Sequence, residues 1–187
     1  GRSDDFKAHF CGTHYFNPPR YLRLLEVIPT ADTHPEVVNF LMEYGSLYLG
    51  KQTVLCKDTP AFIANRIGVF SICAVFQLQQ EMDLTVDEID ALTGTFIGKP
   101  KSATFRTTDV VGLDTLVKVA KGAYDNLPND EKRDIFKVPA YIDEMVKNNW
   151  IGDKAGQGFF KKDKDASGKK SFSTLNLKTL QYEPSNK

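Results

Sequence analysis

Residues 56–66 read CKDTPAFIANR, and the character of the chain changes within this stretch. Before it, short apolar runs alternate with a segment of helical periodicity, which is the pattern of an α/β unit. From Pro60 to Phe76, apolar residues fall nearly all around a helix that Pro60 would begin. A helix so apolar is expected to be buried on most of its sides, in a bundle core or a subunit interface. We therefore predict a domain boundary near Asp58.

The part before the boundary, residues 1–57, is predicted to contain three strands and one helix. The strands are expected at Phe10 to Tyr15, Leu24 to Ile28 and Thr53 to Cys56. Thr33 and Glu36 have capping-box spacing and predict that the helix begins after Thr33. This arrangement indicates a small α/β piece.

The part after the boundary, residues 58–187, is predicted to be mainly helical. Thr85 and Glu88 form a second capping box, and further helices are expected at 113–126 and 139–149. Two strand-like runs, 158–162 and 171–175, flank the polar turn 163–170 and predict a hairpin, and the last residues, 177–187, resemble a linker. The predicted fold class is therefore mainly α, a helical domain preceded by the α/β piece.

Charge and cysteine content exclude several classes of protein. Lys and Arg number 24, and Asp and Glu also number 24, so no basic excess favours nucleic acid or an anionic membrane. No stretch approaches the roughly 18 apolar residues of a membrane span. Three widely spaced cysteines, Cys11, Cys56 and Cys73, form neither a disulfide framework nor a metal-binding pattern. They are interpreted as reduced thiols of an intracellular, cytoplasmic protein.

A histidine and a glutamate could form a catalytic pair. His14 lies in THYFNP at the end of a predicted strand, where a lone histidine is more often structural. Glu26 lies within the apolar strand LLEVIP, and a buried carboxylate needs a partner. If the two strands are neighbours, Glu26 can hold the imidazole of His14 in one tautomer, as in a general-base dyad.

Two other polar residues stand out less clearly. Asn65 lies near the start of the long helix, where its amide could equally make a helix-to-helix hydrogen bond. Lys154 lies in GDKAGQGFF, whose glycines could simply form a turn. From spacing alone, the structural interpretation of each is at least as good as the functional one.

Five segments taken together resemble a known family. THYFNP, LLEVIP, CKDTPAFIANR, VGLDT and GDKAGQGFF occur in the order and at the distances seen in L-3-hydroxyacyl-CoA dehydrogenases. The resemblance extends from about Phe10 to about Phe160. It covers the end of the family's NAD-binding Rossmann domain and its helical domain.

The resemblance implies a role for each matching residue. His14 matches the catalytic histidine that takes the proton of the 3-hydroxyl group, and Glu26 matches its acidic partner. Asn65 matches an asparagine near the reacting carbon and the thioester. Asn17 and Lys154 match positions that contact NAD. The implied reaction is the NAD-dependent oxidation of a 3-hydroxyacyl-CoA in fatty-acid β-oxidation, by a homodimer that forms through the helical domain.

Some family features are absent from this sequence. No GxGxxG turn follows a first strand, although such a turn holds the dinucleotide. An amino-terminal NAD-binding segment is therefore expected to precede Gly1, and the isolated chain is expected neither to bind NAD nor to turn over substrate. The family usually has HFFNP where this chain has Tyr15, a change that leaves His14 and Asn17 in place.

Three alternatives remain open at this point. The chain could belong to a non-catalytic relative such as lens lambda-crystallin, or to a related dehydrogenase of free hydroxy acids or sugar acids. It could also serve as a helical dimerisation module, which is compatible with an enzyme. Whether the parent protein is monofunctional or multifunctional is left undecided by the sequence.

Overall fold

A computed structural model describes residues 1–164 and 170–185. The chain divides into two compact units, residues 1–66 and residues 67–187. The first is a small α/β piece, and the second is mainly helical with one small sheet. The predicted class, mainly α with a small α/β piece, is confirmed. The predicted boundary near Asp58 stays a prediction.

The first unit is built on a three-stranded sheet. Its elements are α1 (Asp4–Ala8), β1 (Cys11–Tyr15), β2 (Leu24–Pro29), α2 (Pro35–Leu47) and β3 (Gln52–Leu55). Strand β2 is central, antiparallel to β1 and parallel to β3. Gly45 lets α2 pack closely on this sheet, because a Cβ there would lie 2.6 Å from Cγ2 of Thr53. The three predicted strands are therefore present.

The start of α2 differs from the prediction. His34 is the N-cap residue and makes no side-chain capping bond. The hydroxyl of Thr33 instead donates to the carbonyl of Phe10, at 2.6 Å, and accepts from the backbone N–H of Thr30. Thr33 thus ties the loop to the residue that precedes β1, a tertiary contact that capping-box spacing does not reveal.

The long helix α3 (Ala64–Met82) begins later than the sequence suggested. Pro60 lies in a turn outside the helix, and Ala61 and Phe62 have positive φ angles of 64° and 49°. The helix is also buried on one face only: its buried residues are Val69, Cys73, Phe76 and Gln79, whereas Ile67 is 65% exposed. Among the described residues of this chain, the helix is therefore not buried on most of its sides, and burial in a subunit interface stays a prediction.

The second unit places four further helices and a small sheet around one core. These are α4 (Val86–Thr93), α5 (Phe105–Val111), α6 (Leu113–Asn126), α7 (Ala140–Lys147), β4 (Phe160–Lys164), β5 (Lys170–Leu175) and β6 (Tyr182–Pro184). Short 3-10 turns lie at Thr95–Ile97, Arg133–Phe136 and Asp153–Ala155. Phe76, Phe105 and Phe159 stack at the centre of the core, with ring centroids 4.5 to 5.9 Å apart.

Several predictions for this unit are confirmed and one is corrected. The capping box of Thr85 and Glu88 is present, and α6 has the predicted bounds. The hairpin pairs β4 with β5, although most of its predicted polar turn, residues 165–169, lies outside the described residues. The segment predicted to be a linker contains β6, which pairs with β5 and whose Tyr182 hydroxyl donates to the carbonyl of Gly158 at 2.6 Å.

Two further observations bear on the class of protein. Among the helices of residues 1–164 and 170–185, none combines the length and the apolar character needed to cross a membrane. All three cysteines are free thiols. The cytoplasmic location inferred from them stays a prediction.

Candidate active site

Strand register brings His14 and Glu26 together. The two residues lie directly opposite each other in the antiparallel pair of β1 and β2, so their side chains project from the same face of the sheet. Nδ1 of His14 lies 2.6 Å from Oε2 of Glu26. The partner that a buried glutamate requires is therefore the histidine.

Glu26 is held by backbone groups as well. Its side chain is fully buried, and Oε1 accepts hydrogen bonds from the N–H groups of Ile63 (3.1 Å) and Ala64 (2.8 Å). Burial alone would raise the pKa of this carboxyl, but the hydrogen bonds from His14, Ala64 and Ile63 outweigh it and leave the pKa lowered. Glu26 is therefore a carboxylate, which can only accept hydrogen bonds.

This arrangement settles the protonation pattern of the imidazole. Because the carboxylate accepts at Nδ1, that nitrogen carries the hydrogen, and Nε2 of the neutral ring is left with a lone pair. The side chain of His14 is 29% exposed, and the rings of Phe16 and Phe62 lie 4.6 and 5.7 Å from its centroid. His14 is thus an oriented imidazole that is half-buried among aromatic rings.

The two predicted asparagines lie in the same unit as this pair. Asn65 follows Ala64 in the first turn of α3 and is half-buried. Within residues 1–164 and 170–185, no hydrogen bond to the Asn65 amide is found. Asn17 is exposed and lies three residues after His14. The helix-to-helix hydrogen bond considered for Asn65 is therefore absent among the described residues.

Lys154 lies in the second unit, within a 3-10 turn (Asp153–Ala155). Its ammonium pairs with the carboxylate of Asp114, and this hydrogen bond lowers the pKa of Asp114. The side chain of Lys154 remains 47% exposed. It is therefore anchored through one carboxylate and still open to solvent.

A buried carboxylate that the sequence did not single out organises the loop around Lys154. Asp109 is 1% exposed and accepts the N–H groups of Phe159 (2.9 Å) and Phe160 (2.8 Å). A Cβ at Gly158 would lie 2.1 Å from Oδ1 of Asp109, and one at Gly152 would lie 2.2 Å from its backbone carbonyl oxygen. These glycines therefore permit close approach. Asp109 lies between two threonines and two valines, a sequence context that does not identify it as buried.

The first unit does not supply a cradle for a dinucleotide. In residues 1–66, all of which the structure describes, the connection from β2 to α2 reads TADTH and contains no glycine. A pyrophosphate needs the close backbone approach that a glycine turn allows. The pair of His14 and Glu26 fits the nicotinamide end of NAD, where the substrate reacts. We assign no contact with the phosphates of NAD to residues 1–66.

Within residues 1–164 and 170–185, no three His, Cys, Asp or Glu side chains are grouped so that they could hold a metal ion.

Two protein-family descriptions match this chain. Residues 62–162 match the family described as "3-hydroxyacyl-CoA dehydrogenase, C-terminal domain", and residues 3–59 match "3-hydroxyacyl-CoA dehydrogenase, NAD binding domain". A probable 3-hydroxyacyl-CoA dehydrogenase of Bacillus subtilis is 53% identical over 87% of this chain, and one of Deinococcus radiodurans is 47% identical over 93%. The chain spans 20% and 49% of the lengths of these two proteins.

Solved structures show the same likeness. The (S)-3-hydroxybutyryl-CoA dehydrogenase PaaH1 of Ralstonia eutropha superposes with a TM-score of 0.71 at 27% identity, covering 80% of this chain and 50% of that one. FadB2 of M. tuberculosis has the same TM-score at 28% identity, covering 79% and 50%. The family match covers more than half of the chain, so this chain belongs to the 3-hydroxyacyl-CoA dehydrogenase family.

Proposed function

We propose that this protein oxidises the 3-hydroxyl group of an L-3-hydroxyacyl-CoA to a ketone with NAD as the oxidant, and that His14 is the base. The observation that carries the proposal is the 2.6 Å hydrogen bond between His14 and the buried carboxylate of Glu26. Burying a carboxylate costs free energy of folding unless the charge is paired and hydrogen-bonded. His14 is the side chain that pairs with Glu26 here. The names of the relatives, probable 3-hydroxyacyl-CoA dehydrogenases, support the choice of substrate.

His14 performs the proton transfer in this proposal. Nε2 accepts the proton of the 3-hydroxyl group as the C–O bond becomes a carbonyl. NAD, when bound, would supply the acceptor for the hydride that leaves C3. The imidazolium that forms is stabilised by Glu26 through Nδ1–H, and this stabilisation is greatest when the proton has moved. In the reverse direction the imidazolium returns the proton to the carbonyl oxygen.

Asn65, Asn17 and Lys154 are also given roles in this proposal. The amide of Asn65 has no bond to give up among the described residues, so its N–H group is available to the forming carbonyl oxygen or to the thioester. Asn17 is exposed and close in sequence to His14, and the ammonium of Lys154 is half-exposed. Both are proposed to contact NAD.

The two parts of the chain take different tasks in this proposal. Residues 1–57 form the last part of a Rossmann NAD-binding domain. The parallel pairing of β2 with β3, which α2 connects, supports this. Residues 58–187 form the helical substrate and dimerisation domain, with the boundary near Asp58.

A homodimer through the helical domain is supported by exposed apolar side chains in the second unit. Phe96 is 83% exposed and Val110 is 60% exposed. Exposed apolar side chains mark a protein interface where they form a patch, and we propose that these side chains do so. The mass of the protein in solution tests this part of the proposal.

Turnover by the full-length protein tests the central proposal. We expect NADH to form rapidly with (S)-3-hydroxybutyryl-CoA and much more slowly with free (S)-3-hydroxybutyrate. Faster turnover of the free acid would favour a hydroxy-acid dehydrogenase. No turnover of either compound by folded protein that binds NAD would favour a non-catalytic structural relative.

A further inference from the structure

The turn that leads into α3 has a backbone conformation that its residues do not favour. Ala61 and Phe62 have φ angles of +64° and +49°. This left-handed region is unfavourable for a residue with a Cβ, whereas glycine enters it freely. Two consecutive residues carry this strain, and neither is a glycine. The surrounding structure must therefore hold the turn in place.

The strained turn presents backbone donors to Glu26. Its hydrogen bonds, from Phe62 N–H to the Thr59 carbonyl (3.0 Å) and from Arg66 N–H to the Ala61 carbonyl (3.3 Å), close the chain around it. The next two N–H groups, those of Ile63 and Ala64, then both point at Oε1 of Glu26. The first N–H groups of a helix have no partner within the helix, so the carboxylate and the turn satisfy each other.

The same turn also contacts the imidazole. The ring of Phe62 lies 5.7 Å from the ring of His14, at an interplanar angle of 55°. One left-handed turn thus touches both members of the pair, Glu26 through backbone donors and His14 through an aromatic ring. A right-handed or extended backbone at residues 61 and 62 would direct these groups elsewhere.

We infer that the left-handed turn at Ala61 and Phe62 is a positioning element for the base, a role that rests on the proposed function of His14. By occupying Oε1, the turn keeps Glu26 ionised and leaves Oε2 to hold Nδ1–H of His14. The residue at position 61 therefore affects the geometry of His14 and Glu26 indirectly, through the backbone conformation of the turn. Glycine at this position relaxes the turn, and a β-branched residue opposes it.

Three variants of the full-length protein test this inference. Ala61→Gly removes the strain, Ala61→Val increases it, and Ala91→Val, at an exposed position of α4, controls for the substitution itself. The measurements are the unfolding temperature, the titration of the Glu26 carboxyl by carbon NMR, the proton resonance of His14 Nδ1–H, and kcat and KM.

The two variants of Ala61 are expected to change different properties of the protein. Ala61→Gly should unfold about 2 °C higher or more, with the Glu26 titration and the His14 resonance unchanged. Ala61→Val should titrate Glu26 at a higher pH, weaken or abolish the Nδ1–H resonance, and lower kcat about 10-fold with a smaller change in KM. Ala91→Val should leave kcat and both NMR signals as in the parent protein.

Each failure identifies the step that is wrong. If Ala61→Gly lowers the unfolding temperature, the turn is not strained and the inference is overturned, even where Ala61→Val fails to fold. A folded Ala61→Val with unchanged Glu26 titration and an unchanged Nδ1–H resonance also overturns it. Because these readouts do not require turnover, they fail independently of the proposed function, which fails instead if His14→Ala retains full activity.

Discussion

Two buried carboxylates, one in each unit, are held in nearly the same way and are suited to different tasks. Glu26 and Asp109 are 0% and 1% exposed, and each accepts hydrogen bonds from two consecutive backbone N–H groups. In Glu26 both N–H groups bind one oxygen, and the second oxygen holds His14. In Asp109 each N–H group occupies its own oxygen.

The difference teaches what makes such a carboxylate useful to a base. Glu26 keeps one oxygen for an imidazole that is itself half-exposed, so a proton that arrives at His14 meets a negative charge. Burial raises the pKa of Asp109 to about 6 despite its hydrogen bonds from Phe160 and Phe159, whereas the pKa of Glu26 is lowered. Asp109 fastens the loop before β4, and Glu26 holds the imidazole that we propose as the base.

The largest expected effect belongs to the base itself. We predict that His14→Ala lowers kcat by about 10² to 10⁴, with a smaller change in KM, because it removes the proton acceptor. His34→Ala, which removes an exposed imidazole from the same unit, is the control and should leave kcat unchanged. Steady-state kinetics on a 3-hydroxyacyl-CoA measures both. Full turnover in His14→Ala would remove Glu26 from any catalytic role and make the two carboxylates equivalent.

Neutralising each carboxylate should separate their tasks. Glu26→Gln loses a charge-assisted hydrogen bond of about 1.5–3 kcal/mol, which predicts a fall in kcat of about 10-fold to 100-fold. Asp109→Asn turns an amide N–H toward a backbone N–H and should lower the free energy of unfolding by about 1–3 kcal/mol, with kcat affected far less. Kinetics and urea unfolding measure the two effects.

Two exposed residues serve as matched controls for these variants. Glu43→Gln lies on α2 in the first unit, and Asp125→Asn lies on α6 in the second. Both should behave as the parent protein. The distinction between the two buried carboxylates would be lost if Asp109→Asn lowered kcat as much as Glu26→Gln.

The smallest effect is a difference in the pH dependence of stability. The folded state holds the Asp109 proton more tightly than the unfolded chain does. The contribution of Asp109 to the free energy of unfolding therefore falls by about 3 kcal/mol as pH rises from about 4 to about 6. The lowered pKa of Glu26 has the opposite sign: its contribution is present above about pH 4.5 and is lost as pH falls through the folded-state pKa.

Urea unfolding between about pH 4 and pH 7 tests these signs. The stability of the parent protein minus that of Glu26→Gln should rise with pH. The same difference for Asp109→Asn should fall with pH. Two differences of the same sign would contradict the assignment of unlike environments to the two carboxylates.

The elements that were predicted correctly are those whose signal is local. The capping box of Thr85 and Glu88 and the helix α6 depend on contacts between residues a few positions apart, which the sequence displays. The predicted start of α3 at Pro60 was wrong. Glu26, far away in sequence, accepts hydrogen bonds from the N–H groups of Ile63 and Ala64, and the helix begins only at Ala64. The strand β6 was missed because its short run, Tyr182–Pro184, depends on pairing with β5.

For the candidate site, the sequence by itself determined the need for a partner: a glutamate in an apolar strand cannot remain buried alone, and a histidine lay one strand away. Only the tertiary structure decided the rest. It set the register that places His14 opposite Glu26, and it revealed the left-handed turn at Ala61 and Phe62 and the burial of Asp109. These features depend on backbone groups, which every residue carries and which no pattern of side chains identifies.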